Sequence, residues 1–414
     1  MAIQHISHLR CVVCGTEYLA DNRYTCDKCG VDGILDVEYD YDKVAKTLTR
    51  RALAQRPYSH WRYEELIPVD FSLPLPPLQI GWTPVYHADR LSEWVGLRDF
   101  YLKDDGRNPS ASFKDRASSV GVMKAIEYHA KTIATASTGN AASSLACCAA
   151  AVGLSAFIFV PEKAPEPKIA QLLVFGSTVI KVKGAYDAAT KFSMDACAKY
   201  GWYNRNCAIN SYLVEGKKTC GLEIAEQFSD TMPDWVCLSV GDGCTIAGTW
   251  KGIREMYHLG LIKKLPRMLG VQAAGCKPIA DAFHTGKDLV PVDGETRADS
   301  INCGSPGNWR KAVSALRESK GEFVVVSDAE IMEAMNKTAR LSGVFGEPSG
   351  AASVAGVKRA IADGIIKKGE SVCAVITGNG LKDIKAAMET AGTPIHIAPD
   401  LRALDDELKK RKAL

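Results

Sequence analysis

From about residue 99 onward, short β-branched or aromatic runs alternate with Ala-rich or amphipathic stretches. The apolar runs are DFYLK (99–103), KTIATAS (131–137), SAFIFV (155–160), STVIKV (177–182), WVCLSV (235–240), RMLGVQ (267–272), EFVVVS (322–327) and SVCAVIT (371–377). Between them lie helical patterns such as AASSLACCAAAVG and AEIMEAMNKTARLSG. This alternation predicts an α/β protein with buried, parallel sheets. No repeat with a period of about 20 to 50 residues is present, which excludes a solenoid.

The first forty residues follow another rule. CVVCGTEYLADNRYTCDKCG carries two C-x-x-C knuckles, Cys11 with Cys14 and Cys26 with Cys29, each followed by glycine. Four thiolates in this spacing can surround one Zn²⁺ tetrahedrally and leave no open position, so a structural zinc is expected rather than a catalytic one. The other readings are a redox pair or four idle thiols. So small a segment cannot bury enough surface to fold alone, and metal would supply the missing stability. Beyond a connecting stretch, the passage LPLPPLQIGWTPVY should run extended over a surface, because Pro74, Pro76 and Pro77 suit neither helix nor central strand. It is the expected seam between the small module and the body.

Length and charge narrow the function classes. A chain of 414 residues exceeds one ordinary core, so two or three domains are expected. With 51 basic against 48 acidic residues the net charge is only +3, which implies no nucleic-acid or membrane partner. No apolar run approaches the roughly 20 residues that span a bilayer, and MAIQHISHLRC lacks the apolar core of a signal peptide. Most of the other cysteines sit in apolar segments, as at Cys147, Cys148, Cys237 and Cys373. That suits small buried hydrophobes in a reducing, cytoplasmic compartment.

In parallel sheets, ligands gather where strands end and loops enter helices. After DFYLK comes NPSASFKDRAS with Lys114. After KTIATAS comes TGNAASS, after WVCLSV comes GDGCT, and after SVCAVIT comes GNGLKD. Each junction has a bland reading: a tight turn at Gly241 and Gly243, a helix cap at Ser137–Asn140, a solvated ion pair at Asp115 and Arg116. Each also has a functional one. Side-chain-free N–H groups at a helix start cradle a phosphate, and the capping groups can grip a carboxylate. Their joint occurrence around one lysine favours the functional reading.

The set SFKDR, STGNAA, GDGCT, EPSGAA (347–352) and TGNGLKD (377–383) resembles the pyridoxal-phosphate enzymes of the tryptophan-synthase-β fold (fold type II), and among these most resembles threonine synthases. The likeness spans about residues 80 to 395, and some members carry an N-terminal cysteine ribbon. It implies two doubly wound α/β domains beside a ribbon at residues 1–40. The large domain would comprise 41–130 and 215–414, the small one 131–214. The resemblance implies that Lys114 holds pyridoxal 5′-phosphate as a Schiff base and then acts on the Cα proton, with Phe113 beside it. Gly241, Asp242, Gly243, Cys244 and Thr245 would take the cofactor phosphate, Asn140 its 3′-hydroxyl, Thr377 its pyridine nitrogen, and Glu347 would seat the ring. Ser137, Thr138, Gly139 and Asn140 would receive the substrate carboxylate. A cytoplasmic homodimer acting on a small amino acid is expected.

One stretch departs from the family. In CAINSYLVEGKKT (207–219), Glu215, Gly216, Lys218 and Thr219 match, but Cys207-Ala208 replace an Asn-Ser pair and Leu213 replaces an arginine that grips substrate phosphate. Asn379 stands where the family tends to have histidine. Arg205, or else Lys217, is the cation available to substitute. Three functions therefore compete: conversion of O-phospho-L-homoserine to L-threonine, β-elimination or β-replacement on another amino acid as in a serine or threonine ammonia-lyase, and a non-enzymatic binding protein marked by the ribbon. The near-neutral charge and the intact lysine argue against the last.

Overall fold

All of the apolar runs become strands in the computed structural model, which describes residues 5–184 and 186–411. The N-terminal strands β1 (Ile6–Cys11), β2 (Glu17–Tyr18), β3 (Thr25–Cys26) and β4 (Gly30–Tyr39) form an antiparallel sheet in the order β2-β1-β4-β3. The body contributes β5 (Val85–His87), β6 (Phe100–Asp104), β7 (Thr132–Ala136), β8 (Ser155–Pro161), β9 (Thr178–Val182) and β10 (Tyr203–Asn204). It continues with β11 (Trp235–Ser239), β12 (Arg267–Ala273), β13 (Glu322–Val326) and β14 (Val372–Ile376).

These make two further sheets. One is wholly parallel, in the order β10-β7-β8-β9. The other runs β13-β12-β11-β14-β6-β5 and is parallel except for the edge strand β5. The apolar runs lack alternation because both sheet faces are covered. In β11, Val236 and Leu238 enter one core cluster while Trp235 and Cys237 enter another on the opposite face. Leu9, Leu35 and Val37 of the ribbon join the first of these, so the small module shares the body's core.

Five helices position the site: α1 (Asp115–Glu127), α2 (Asn140–Val152), α3 (Ser211–Phe228), α4 (Cys244–His258) and α5 (Pro348–Ala362). The proline-rich passage lacks regular structure from 73 to 84 and then enters β5 at Val85, and the ribbon meets the body elsewhere. The ribbon joins the body through tyrosines: Tyr39 Oη donates to Glu215 Oε2 at 2.8 Å and Tyr212 Oη to the Asp21 carbonyl at 2.8 Å. Aromatic rings with one polar atom suit such a joint, since they bury area and still satisfy the hydroxyl. Among the described residues, no helix is long and apolar enough to cross a membrane.

Candidate active site

Lys114 stands at the N-cap of α1, at the head of a loop tied to the end of β14. The Phe113 N–H donates to the Thr377 carbonyl at 2.9 Å, and the Asn379 N–H to the Ala111 carbonyl at 3.0 Å. Ala111 holds the left-handed conformation at φ 60°, a local strain of the kind found at functional loops. The lysine side chain enters a cavity of about 380 Å³ bounded by the carboxyl ends of β7, β11 and β14. Burial lowers its pKa, and the Lys217 ammonium lowers it further. A lysine so placed keeps a larger share of free amine, the form that reacts with carbonyls and takes protons.

Ser137, Arg205, Gly241, Asp242, Cys244, Thr245 and Thr377 line the same cavity. Thr138, Gly139, Asn140 and Glu347 line an adjoining hollow of about 30 Å³, and Ser300 and Ser349 border both. Asn140 Nδ2 donates to Glu347 Oε1 at 2.7 Å and to Ser300 Oγ at 3.2 Å. Burial pushes the Glu347 carboxyl up to about 7, against the pull of Lys114. Gly243 is the N-cap of α4 with φ +97°, and a Cβ there would lie 2.7 Å from the Asn308 carbonyl oxygen. Neither α2 nor α4 has a side-chain cap, so their first N–H groups remain available at the cavity. Phe113, which the resemblance sets beside the cofactor, is fully buried in the main core and is not among the residues lining either space.

The segment that departs from the family lies on one wall. Arg205 Nη1 donates to Cys207 Sγ at 3.3 Å, and its Nε and Nη2 donate to Ser118 Oγ at 3.1 and 3.0 Å. Lys217 Nζ donates to Cys244 Sγ. The Cys207 thiol is held well below its usual range by its hydrogen bond with Cys244 and then by Arg205 and Lys217, while Cys244 is pushed up. Arg205 and Lys217 are buried, 2% and 1% exposed, yet among the described residues neither is ion-paired to a carboxylate. Leu213 is turned away from the cavity, against Gly121 of α1, where the Arg205 stem also passes. Sequence reasoning ranked Lys217 behind Arg205 and did not single out Ser300, Tyr186 or Cys303, which also line the cavity. The loops and helix start that bring them in carry no local pattern.

Asp115 and Arg116 are not a solvated pair. Both are fully buried and they serve different partners. Asp115 accepts from Ser110 N at 2.7 Å and Ser110 Oγ at 2.5 Å, which fixes the loop ahead of Lys114. Arg116 binds Asp105 at 2.6 Å and Glu223 at 2.5 Å, and Lys103 completes the cluster on Glu223 at 2.9 Å. A second buried network joins Glu215, Lys218, Lys251 and Glu255 to Asp36 of the ribbon. The matching residues of the EGKKT run thus hold α3 in place, while Lys217 between them reaches the cavity.

Within the ribbon, Cys11, Cys14, Cys26 and Cys29 bring their sulfurs within 4.8 Å of one another, and Cys14 Sγ lies 3.7 Å from Cys26 Sγ. A tetrahedron built on Zn–S bonds of about 2.3 Å has edges of roughly 3.8 Å, so the cluster fits a zinc ion.

Comparison with known proteins bears on this geometry. Residues 77–378 match the family described as pyridoxal-phosphate dependent enzyme. The chain is 38% identical over 405 residues to a threonine synthase of Methanocaldococcus jannaschii, covering 97% of this chain and 99% of that one. It is 39% identical to a threonine synthase of Methanosarcina acetivorans, with 97% and 98% covered. Among solved structures, the processed form of threonine deaminase isoform 2 from Solanum lycopersicum superposes with a TM-score of 0.64 at 25% identity, covering 75% of this chain and 88% of that one.

Proposed function

The chain belongs to the pyridoxal-phosphate dependent threonine synthase family, and from that premise we propose that it converts O-phospho-L-homoserine and water to L-threonine and phosphate. The observation that carries the substrate is the pair of buried cations, Arg205 and Lys217, which share the cavity of Lys114 and have no carboxylate partner among the described residues. Two buried cations that share one pair of thiols and no carboxylate are undercompensated, which is costly, and a bound anion relieves it. The cofactor phosphate accounts for one anion at the start of α4, and a phosphorylated substrate supplies a second.

The residues fit the cofactor. An amine with lowered pKa faces a helix start that Gly243 leaves clear and a hydroxyl at the end of β14. Lys114 would hold the group covalently, the N–H groups from Gly241 to Thr245 its phosphate, Thr377 its ring nitrogen, and Asn140 with Glu347 its oxygen-bearing edge. Bound there, pyridoxal phosphate supplies an electron sink for charge developing on the substrate carbons; a neutral hydroxyl opposite its nitrogen moderates that sink. Ser137, Thr138 and Gly139 would orient the carboxylate of the amino acid. Lys114, once free, takes the Cα proton and returns it later, helped by its poor solvation. Arg205 and Lys217 would bind the phosphate as its Cγ–O bond breaks, which requires a proton to leave Cβ and one to reach Cγ; the hydroxyl of water then adds at Cβ as Lys114 returns a proton to Cα. A soluble, cytoplasmic homodimer with one structural zinc per chain completes the reading, with the ribbon at residues 1–40 and the small domain at 131–214.

The test is a product panel. The purified enzyme should form threonine and equimolar phosphate from O-phosphohomoserine, with far lower kcat/KM for serine, threonine or phosphoserine. An enzyme that ignores phosphohomoserine yet deaminates serine or threonine would end the synthase reading.

A further inference from the structure

The cavity-lining residues Arg205, Asn206, Cys207 and Ala208 lie in a short segment between β10 and α3, and the ribbon touches both ends of it. At the leading end, the Asn204 N–H donates to Tyr24 Oη at 3.0 Å, and the Tyr24 ring meets Tyr203 edge-on with centroids 6.2 Å apart. At the trailing end, Tyr212 Oη donates to the Asp21 carbonyl at 2.8 Å. Asp21 and Tyr24 lie between the two cysteine knuckles, and β3 with Cys26 begins at the residue after Tyr24. Tyr18 Oη, in contact with Cys26 Sγ at 3.1 Å, also accepts from the Asp27 N–H at 3.1 Å and so ties the knuckle together. Within the segment, Asn210 Nδ2 spans back to the Asn204 carbonyl at 2.9 Å and to Tyr203 Oη at 3.0 Å, which links the two clamped ends.

We propose that the cysteine ribbon is a brace for the substrate-facing segment 205–210, with Tyr24 and Tyr212 as positioning residues that hold Arg205 and Cys207 at the cavity wall. Among the described residues, the ribbon lines neither site cavity. It acts by removing alternative conformations from a segment that has only a two-residue strand behind it, and the metal makes that support rigid. The proposal rests on the reading that this segment faces the substrate.

Tyr24→Phe and Tyr212→Phe keep both rings and remove only the hydroxyls, so the fold should survive. In the full-length holoenzyme, the double variant should show amide exchange about tenfold faster or more across 204–210, since each lost bond has a modest net worth. Exchange in 235–246, on the cofactor side, should not change. KM for O-phosphohomoserine should rise by roughly five- to tenfold with kcat nearly constant and cofactor absorbance unaltered. Removing the metal with a chelator should reproduce the exchange pattern. Unchanged exchange in 204–210, or an increase spread evenly over the chain, would overturn the brace. Faster exchange with an unmoved KM would overturn its link to substrate binding. Should phosphohomoserine prove not to be a substrate at all, the exchange measurement still decides the brace separately.

Discussion

Replacing Arg205 by leucine should separate binding from stability. The guanidinium is 2% exposed, and its partners are Ser118 Oγ through two nitrogens and, through the third, Cys207 Sγ, whose thiol it helps hold below its usual range. Ser118 Oγ keeps a second partner, since Ser144 Oγ donates to it at 2.7 Å. Among the described residues no carboxylate pairs with Arg205, and the Cys207 thiol can take up a proton once the cation is gone, so leucine removes a buried charge without stranding another; such exchanges are often neutral or stabilising. The melting temperature of the apoprotein should hold or rise. Catalysis should respond in the opposite sense. A phosphate dianion that loses one buried partner forfeits about 3 kcal/mol, which corresponds to a loss on the order of 100-fold in kcat/KM for O-phosphohomoserine. Residual turnover of serine, whose leaving group carries no charge, should change little. Phosphate release and differential scanning fluorimetry on the same preparations suffice as assays. The reasoning is refuted if phosphohomoserine turnover is unaffected, if both substrates lose activity equally, or if the apoprotein melts several degrees lower.

Further outcomes follow from the same geometry. Borohydride reduction of the holoenzyme should fix the cofactor to Lys114, read by peptide mapping, and Lys114→Ala should give protein with no such adduct; an adduct on another lysine removes the assignment. Metal analysis should find about one zinc per chain, lost in Cys14→Ser, because four sulfurs within 4.8 Å leave no spare ligand. Glu223→Gln should cost about 3 to 5 kcal/mol by leaving Arg116 and Lys103 underpaired, measured by urea denaturation. Desolvation notwithstanding, Arg116 and Lys103 hold the Glu223 carboxyl far below its ordinary 4.5, so its stabilisation is complete above that pH. It should fade as acid is added below pH 4.5, and the acid slope should be shallower in the Gln variant.

The strands and their chemical ends were readable because the parallel sheet buries both faces and loops with function are rich in small residues. Lys114 stood out through SFKDR, and the ribbon through its paired knuckles. What could not be read was direction. Lys217 and Lys218 are neighbours on α3, about 100° apart around the helix. Only the packing of that helix sends one into the cavity and the other to Glu215 and Glu255. Asp115 and Arg116 misled for a related reason: adjacent opposite charges suggest a pair, yet each is claimed by partners from other segments, Asp105 and Glu223 in the case of Arg116. The ribbon's seam escaped notice because prolines are conspicuous in a sequence, whereas a tyrosine hydroxyl meeting a distant backbone group is not.

Among the described residues Arg205 and Lys217 have no carboxylate partner, and this has a consequence for how such an enzyme can diversify. The charges that hold α3, at Glu215, Lys218 and Glu223, are interlocked, so altering one strands another in the interior. Among the described residues the two cavity cations meet only thiols and a hydroxyl, and a thiol that loses its cation can take back its proton. The two cations can be exchanged singly for neutral residues, or for one another's chemistry, without a compensating change elsewhere. Leaving-group preference is thereby uncoupled from foldability, and a scaffold of this kind is open to retuning toward new amino-acid substrates by one or two substitutions, whether in a lineage or at the bench.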